Sequence, residues 1–280
     1  MTRPWTWTVL PVLLALAACG DRSASDAVPA AGEGTPPAAA PAPAAADAAT
    51  ASPPVLDDVI ERDPRYLVGI SYPPAAAAYP GLATALHAYA QAAREELMQA
   101  VGALEDAAPT APYDLSLGFR MLLETPQLVA VAADGSVYTG GAHGQPLVAR
   151  FVWLPQRGEM LTAARLIPDP AGWKVVAGRV AEQLASAAQV RAGDAGLEPA
   201  DSRRLLGSAL RMIDAGTAPE PDNFAQFEPV AAADGRITAL RFVFPPYQVG
   251  PYADGVQYAE VPAALLLPHV AGEYRTLFVQ

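Results

Sequence analysis

The spacing of apolar residues divides the chain into stretches of different character. Trp5 to Ala18 is almost wholly apolar, broken only by Pro11. From Asp21 to Pro54, Ala, Pro, Gly, Ser and Thr alternate with scattered acids and show no amphipathic period. Repeated proline prevents the Ala runs from forming a long helix, so this part is predicted to be an extended, partly polyproline-II spacer. Tyr66–Tyr72 then reads as a short strand ended by Pro73 and Pro74. A helix is predicted from Pro80 to Leu104, with Leu82, Leu86, Tyr89, Ala93, Leu97, Val101 and Leu104 on one face and Pro80 in its first turn.

Downstream the period shortens to two. Leu115, Leu117, Phe119, Met121 and Leu123 alternate with polar or small residues, and Leu122 breaks the pattern. Leu128–Ala132 and Val137–Tyr138 read as further strand, with a turn expected at Asp134–Gly135. Leu147–Leu154 is another strand, followed by a hairpin turn at Pro155–Gly158. Trp173, Val176, Val180, Leu184 and Ala187 mark a second helix. A third is expected from Ala200 to Ala215, with Leu206, Leu210 and Ile213 as its apolar stripe and Gly216 as its C-cap. Strands near 225–232, 236–244 and 256–262 follow, the first two joined through Asp234–Gly235. This order predicts an α+β fold: mainly antiparallel sheets packed with about three helices, as one domain or two lobes.

Composition adds a location. Residues 1–18 read as an export signal: Arg3 supplies positive charge, and the apolar stretch is short for a membrane span, which needs roughly 20 residues. Leu16-Ala17-Ala18-Cys19 resembles the lipobox of bacterial lipoproteins, with Cys19 as the acylated residue. The alternative is an ordinary secreted protein with an incidental cysteine. Gly20 in place of Asp favours the outer membrane, so a lipid anchor on its periplasmic side is expected. The layout is therefore a signal peptide at 1–18, a lipidated tether at 19–55 and a folded domain at 56–280. Some 34 extended tether residues at about 3.1 Å each would span roughly 100 Å.

The formal charge is −11, and −12 once Arg3 leaves with the leader. Such a surface excludes nucleic acid as a partner and suits a cationic one. Cys19 is the sole cysteine, which excludes an intrachain disulfide or a cysteine metal cluster. The three histidines, His87, His143 and His269, are isolated in sequence, and no nucleophile elbow, phosphate loop or zinc-protease motif occurs. The adjacent carboxylates Asp57–Asp58 and Glu95–Glu96 are expected to face solvent. No cofactor is expected.

Two segments stand out. In Tyr138-Thr139-Gly140-Gly141-Ala142-His143-Gly144, three glycines surround a histidine near two hydroxyls. It is either a small polar recognition site, with His143 as a possible acid or base, or a tight crossover whose histidine bonds the backbone. In Phe242–Gly255, prolines and aromatics place Tyr247 and Tyr252 near a bend, as a binding face or as a cover for the core. The segment Pro221–Phe227 is expected to be structural.

Taken together, Gly140–His143, Asn223-Phe224, and Tyr247, Pro251, Tyr252 and Gly255 resemble the extracytoplasmic domain of the PdaC/RsiV-like family along residues 60–270. The resemblance implies an α+β domain outside the cytoplasm. In RsiV it binds lysozyme within an anti-sigma factor; in PdaC it accompanies a polysaccharide deacetylase. This sequence shows no internal apolar span followed by an anti-sigma segment, and it lacks the combined Asp-Asp and His-x-x-x-His metal set of the deacetylase. The expected function is non-catalytic binding of a lysozyme-type cationic wall hydrolase or of peptidoglycan, with Tyr138, Gly140, Gly141, His143, Tyr247 and Tyr252 as candidate contacts. The rivals are a wall glycan hydrolase or deacylase using His143, and a lipoprotein that assists envelope assembly.

Overall fold

The computed structural model describes residues 53–105 and 109–280. The signal peptide, Cys19 and nearly all of the tether lie outside the described residues. The elements in chain order begin with β1 (Val59–Asp63), β2 (Tyr66–Ser71), α1 (Pro80–Gly102), β3 (Tyr113–Glu124), β4 (Val129–Tyr138) and β5 (Gln145–Leu154). There follow β6 (Glu159–Met160), the single turn α2 (Ala163–Leu166), α3 (Pro170–Asp194) and α4 (Pro199–Gly216). The chain closes with β7 (Phe227–Ala231), β8 (Ile237–Phe244), β9 (Gln257–Pro262) and the single turn α5 (Ala263–Leu266). The fold is α+β: a six-stranded sheet in the order β1 to β6 and a three-stranded sheet β7-β8-β9.

All three long helices begin on a proline: Pro80, Pro170 and Pro199. A proline at the first helical position sacrifices an N–H that has no intrahelical partner anyway, and its fixed φ suits the first turn. At α3 the Asp169 carboxylate adds a cap by accepting the Ala171 N–H at 2.9 Å.

The six-stranded sheet packs α1 on one face. Leu82, Leu86, Ala90, Leu97 and Val101 of α1 meet Leu115, Leu117, Val131 and Phe151. On the opposite face, Ala130, Val152 and Leu154 join a second core built from Trp173, Val180 and Leu184 of α3 and Phe224, Phe242, Phe244 and Val261. From Leu147 onward every residue of β5 is therefore buried. Within that apolar strand Arg150 is the exception, 2% exposed in its side chain. Its Nε donates to Glu228 Oε1 at 2.6 Å, and its Nη1 donates to Asp134 Oδ1 at 2.8 Å and to two backbone carbonyls. Its backbone N–H donates to Gln226 Oε1 at 2.7 Å. Glu228 also faces Arg241 of β8, which pairs with Glu260 of β9 at 2.6 Å. Alternating charges thus run from β4 through β5 to β7, β8 and β9, linking the two sheets.

The outer side of β9 is capped at Glu260 by a side chain. The Gln183 amide of α3 donates to Glu260 O at 2.7 Å and accepts the Glu260 N–H at 3.1 Å, copying a ladder partner.

Several expectations need correction. Asp134–Gly135 is not a turn: β4 runs straight through it, and Gly135 pairs with Leu117. A Cβ there would collide with the Ser116 carbonyl, so this glycine serves close backbone approach. In α3 the buried residue is Ala188, with Ala187 exposed, and Leu210 of α4 is 41% exposed. Gly216 ends α4 as its last helical residue, where a Cβ would strike the Gln248 carbonyl; Thr217 takes the cap position. β1 and the parallel pairing of β2 with β3 across α1 were not foreseen. The break at Leu122 is a real irregularity: the register shifts between Met121 and Leu123.

Candidate functional site

The β4–β5 connection and the β8–β9 connection come from different sheets and meet at one exposed place. In the first, Gly140 and Gly141 hold φ of +100° and +92°, conformations that favour glycine. The Tyr138 hydroxyl donates to the Gly141 carbonyl at 3.2 Å and braces the bend. The bend delivers His143, whose side chain is exposed.

The second connection supplies Tyr247 and Tyr252, both half-buried. Tyr247 sits at φ +73°, a left-handed conformation that is uncommon for an aromatic residue. Its N–H donates to the Gly250 carbonyl at 2.8 Å. The neighbouring Gln248 side chain donates to Gly216 O at 3.1 Å and to Asn223 O at 2.8 Å, tying the loop to the end of α4 and the approach to β7. Arg191 of α3 holds Gln257 at 3.0 Å and Asp254 at 3.4 Å, fixing the far side. The strained Tyr247 backbone is thus held by contacts on each side.

Here the two loops join. The His143 ring stacks on Tyr252 with centroids 4.0 Å apart and planes 14° from parallel. His143 Nε2 lies 2.9 Å from the Tyr247 hydroxyl. The two tyrosine rings are 5.9 Å apart at 39°. Nδ1 lies 3.3 Å from the Gly144 carbonyl, which can only accept, so Nδ1 carries the proton. In the neutral ring Nε2 then accepts from the Tyr247 O–H. We call this arrangement the clasp.

The structure therefore brings His143, Tyr247 and Tyr252 into contact, with Gly140, Gly141 and Tyr138 shaping the loop that presents the histidine. Tyr138 does not touch the two tyrosines through any hydrogen bond. His87 lies 3.5 Å from Gln91 on the same helix, and His269 packs against Gly172. Asp57, Asp58, Glu95 and Glu96 are exposed. The Pro221–Phe224 turn is structural: Phe224 is fully buried and stacks on Trp173 at 5.3 Å. Sequence reasoning missed Gln248 and Asn223 as the loop's anchors. It also missed the Arg150 network, although a lone arginine in an apolar strand was a visible signal. Among the described residues no three His, Cys, Asp or Glu side chains converge as a metal site, and no helix is long and apolar enough to cross a membrane.

Fold and clasp together define an α+β domain with two loops joined by a histidine–tyrosine stack. No protein-family profile matches the chain, and no curated protein matches it. Solved structures similar to it include two DUF3298 family proteins. The one from Bacteroides fragilis is 14% identical, covers 78% of this chain and 94% of its own, and gives a TM-score of 0.44. The one from Pseudomonas aeruginosa is 13% identical, covers 80% of this chain and 96% of its own, and gives 0.46.

Proposed function

We propose that this is a lipid-anchored, PdaC/RsiV-like binding domain on the periplasmic side of the outer membrane, and that the clasp is its contact surface for a cationic wall hydrolase of lysozyme type. The observation that carries the reading is the meeting of His143, Tyr247 and Tyr252 at an exposed place, from loops 104 residues apart. Aromatic side chains on braced loops give contact area with little ordering cost on binding. The net charge of −11 draws a cationic partner from a distance. Peptidoglycan is the second ligand class this surface suits.

A binder fits the clasp better than an enzyme does. Both ring nitrogens of His143 are engaged, one by a backbone carbonyl and one by a phenol. No carboxylate lies within hydrogen-bond reach of the ring among the described residues, so nothing there raises its basicity as the aspartate of a catalytic triad does.

The test is titration calorimetry of the full-length chain against lysozyme. Binding is expected at low salt, with affinity falling steeply as salt rises. Absence of heat at low salt removes the lysozyme reading. Turnover of wall glycan that His143→Ala abolishes without unfolding would establish the enzymatic alternative instead.

A further inference from the structure

We infer that His143 is an internal stand-in for a ligand, and that the two tyrosines form a shelf which takes an arginine side chain of a cationic partner. The inference rests on the reading of the clasp as a binding surface and adds what it recognises.

The two halves of the clasp are anchored very differently. The shelf is fixed: Tyr247 is locked by Gly250, Gln248 reaches two other elements, and Arg191 holds Gln257 and Asp254. The histidine half is a short exposed loop from Thr139 to His143, with consecutive glycines in left-handed conformations. A side chain at Gly141 would meet nothing within 4 Å and one at Gly140 would touch only the Tyr113 ring, so the loop has open space on its Gly141 side. Its side-chain ties are the Tyr138 hydroxyl, the bond of His143 to its own neighbour and the grip of His143 on the shelf. A hinge-like loop can swing away while the shelf keeps its shape.

What His143 places on the shelf defines the ligand. It is a flat ring, stacked on Tyr252, with a nitrogen at its edge 2.9 Å from the Tyr247 oxygen. A guanidinium shares the plane that stacks on an aromatic face, and where His143 Nε2 accepts from the Tyr247 O–H it presents an N–H edge that donates to the same phenol oxygen. A lysine ammonium has the charge and lacks the plane. The acidic chain supplies long-range attraction to an arginine-bearing partner. When the arginine arrives, His143 leaves, and the closed state lowers apparent affinity by the fraction of molecules with the loop open.

The experiment titrates the full chain with a hexa-arginine and a hexa-lysine peptide of equal charge, using the original sequence, His143→Ala and Tyr252→Leu. Circular dichroism confirms folding of each variant. The original sequence is expected to prefer the arginine peptide. His143→Ala is expected to bind it about tenfold tighter, as the competing ring is gone, with the lysine peptide unchanged. Tyr252→Leu is expected to bind the two peptides equally. Equal binding of both peptides by the original sequence overturns the proposal, as does weaker arginine binding in His143→Ala. A gain in His143→Ala for an N-acetylglucosamine tetramer with none for the arginine peptide also overturns it, in favour of a sugar. The arginine preference without lysozyme binding sinks only the choice of partner. Lysozyme binding undiminished by Tyr252→Leu sinks only the shelf.

Discussion

At the scale of single residues, Tyr89 shows how an aromatic side chain inside a core carries a cost. Its ring packs edge-on against Phe119 and Phe151 at 6.3 and 5.8 Å, while its hydroxyl has no hydrogen-bond partner among the described residues. Burial first, and then the negative charge of Asp134, push the phenol up to about 12. The folded protein therefore keeps this proton where the unfolded chain, with an ordinary phenol near 10, has released it. Stability should decline as pH rises from about 10 towards 12, by up to roughly 1.4 kcal/mol per pH unit. Tyr89→Phe is expected to remove that alkaline component and to raise stability at neutral pH by about 1 kcal/mol. Chemical denaturation at pH 7 and pH 11 reads both effects; a loss at neutral pH in the variant would contradict the account. Residues also show where sequence reading fails. Gly135 and Gly216 look like turn and cap signals, yet each marks a place where two backbones nearly touch. Nothing local distinguishes a glycine that bends the chain from one that admits a neighbour, because the neighbour is remote in sequence.

Among elements, the long helices and alternating strands were legible because one face of each meets a core. β1 was not, because its period puts Ile60 outward at 75% exposure and leaves Glu61 inward toward α1. Arg94 of α1 meets that carboxylate at 2.8 and 2.9 Å. The hydrogen bond from Arg94 holds Glu61 below the usual carboxylate range. A lowered carboxylate contributes stability above the unfolded pKa and loses it as pH falls through the folded one. Both side chains are about a third exposed, so the pair is worth at most about 1 kcal/mol. Glu61→Gln should flatten the acid limb of the stability profile by no more than that; an unchanged acid limb would show the pair to be inert. The Arg150–Glu228 pair differs because it is buried. Arg150→Ala is expected to cost about 3 kcal/mol, as the buried Glu228 loses its close partner at 2.6 Å and keeps only Arg241 at 3.6 Å. Arg150→Met with Glu228→Leu should cost less than the single change, measured by urea denaturation. A double variant as unstable as the single one would mean that packing, and not charge, dominates there.

For the whole molecule, the class of fold was readable because strands and helices occur in separate runs. The parallel step through α1 was not, because pairing direction depends on where the chain returns and leaves no periodic mark. The candidate site was legible in its parts: glycines around a histidine, and tyrosines among prolines. Their meeting was not, since 104 residues separate His143 from Tyr247 and the loop that carries Tyr247 is positioned by Gln248 through the carbonyls of Gly216 and Asn223, which are also distant in sequence. The Arg150 network crosses between the same two sheets, so the loops that form the clasp stand on elements already held together.

The amide of Gln183 has a consequence for how such molecules coexist at high local density. By occupying the main-chain groups of Glu260 it removes one pair of hydrogen-bonding positions from the template onto which a neighbouring polypeptide could add itself as another ribbon. A second strand approaching that margin would have to displace the Gln183 side chain before it could pair at Glu260.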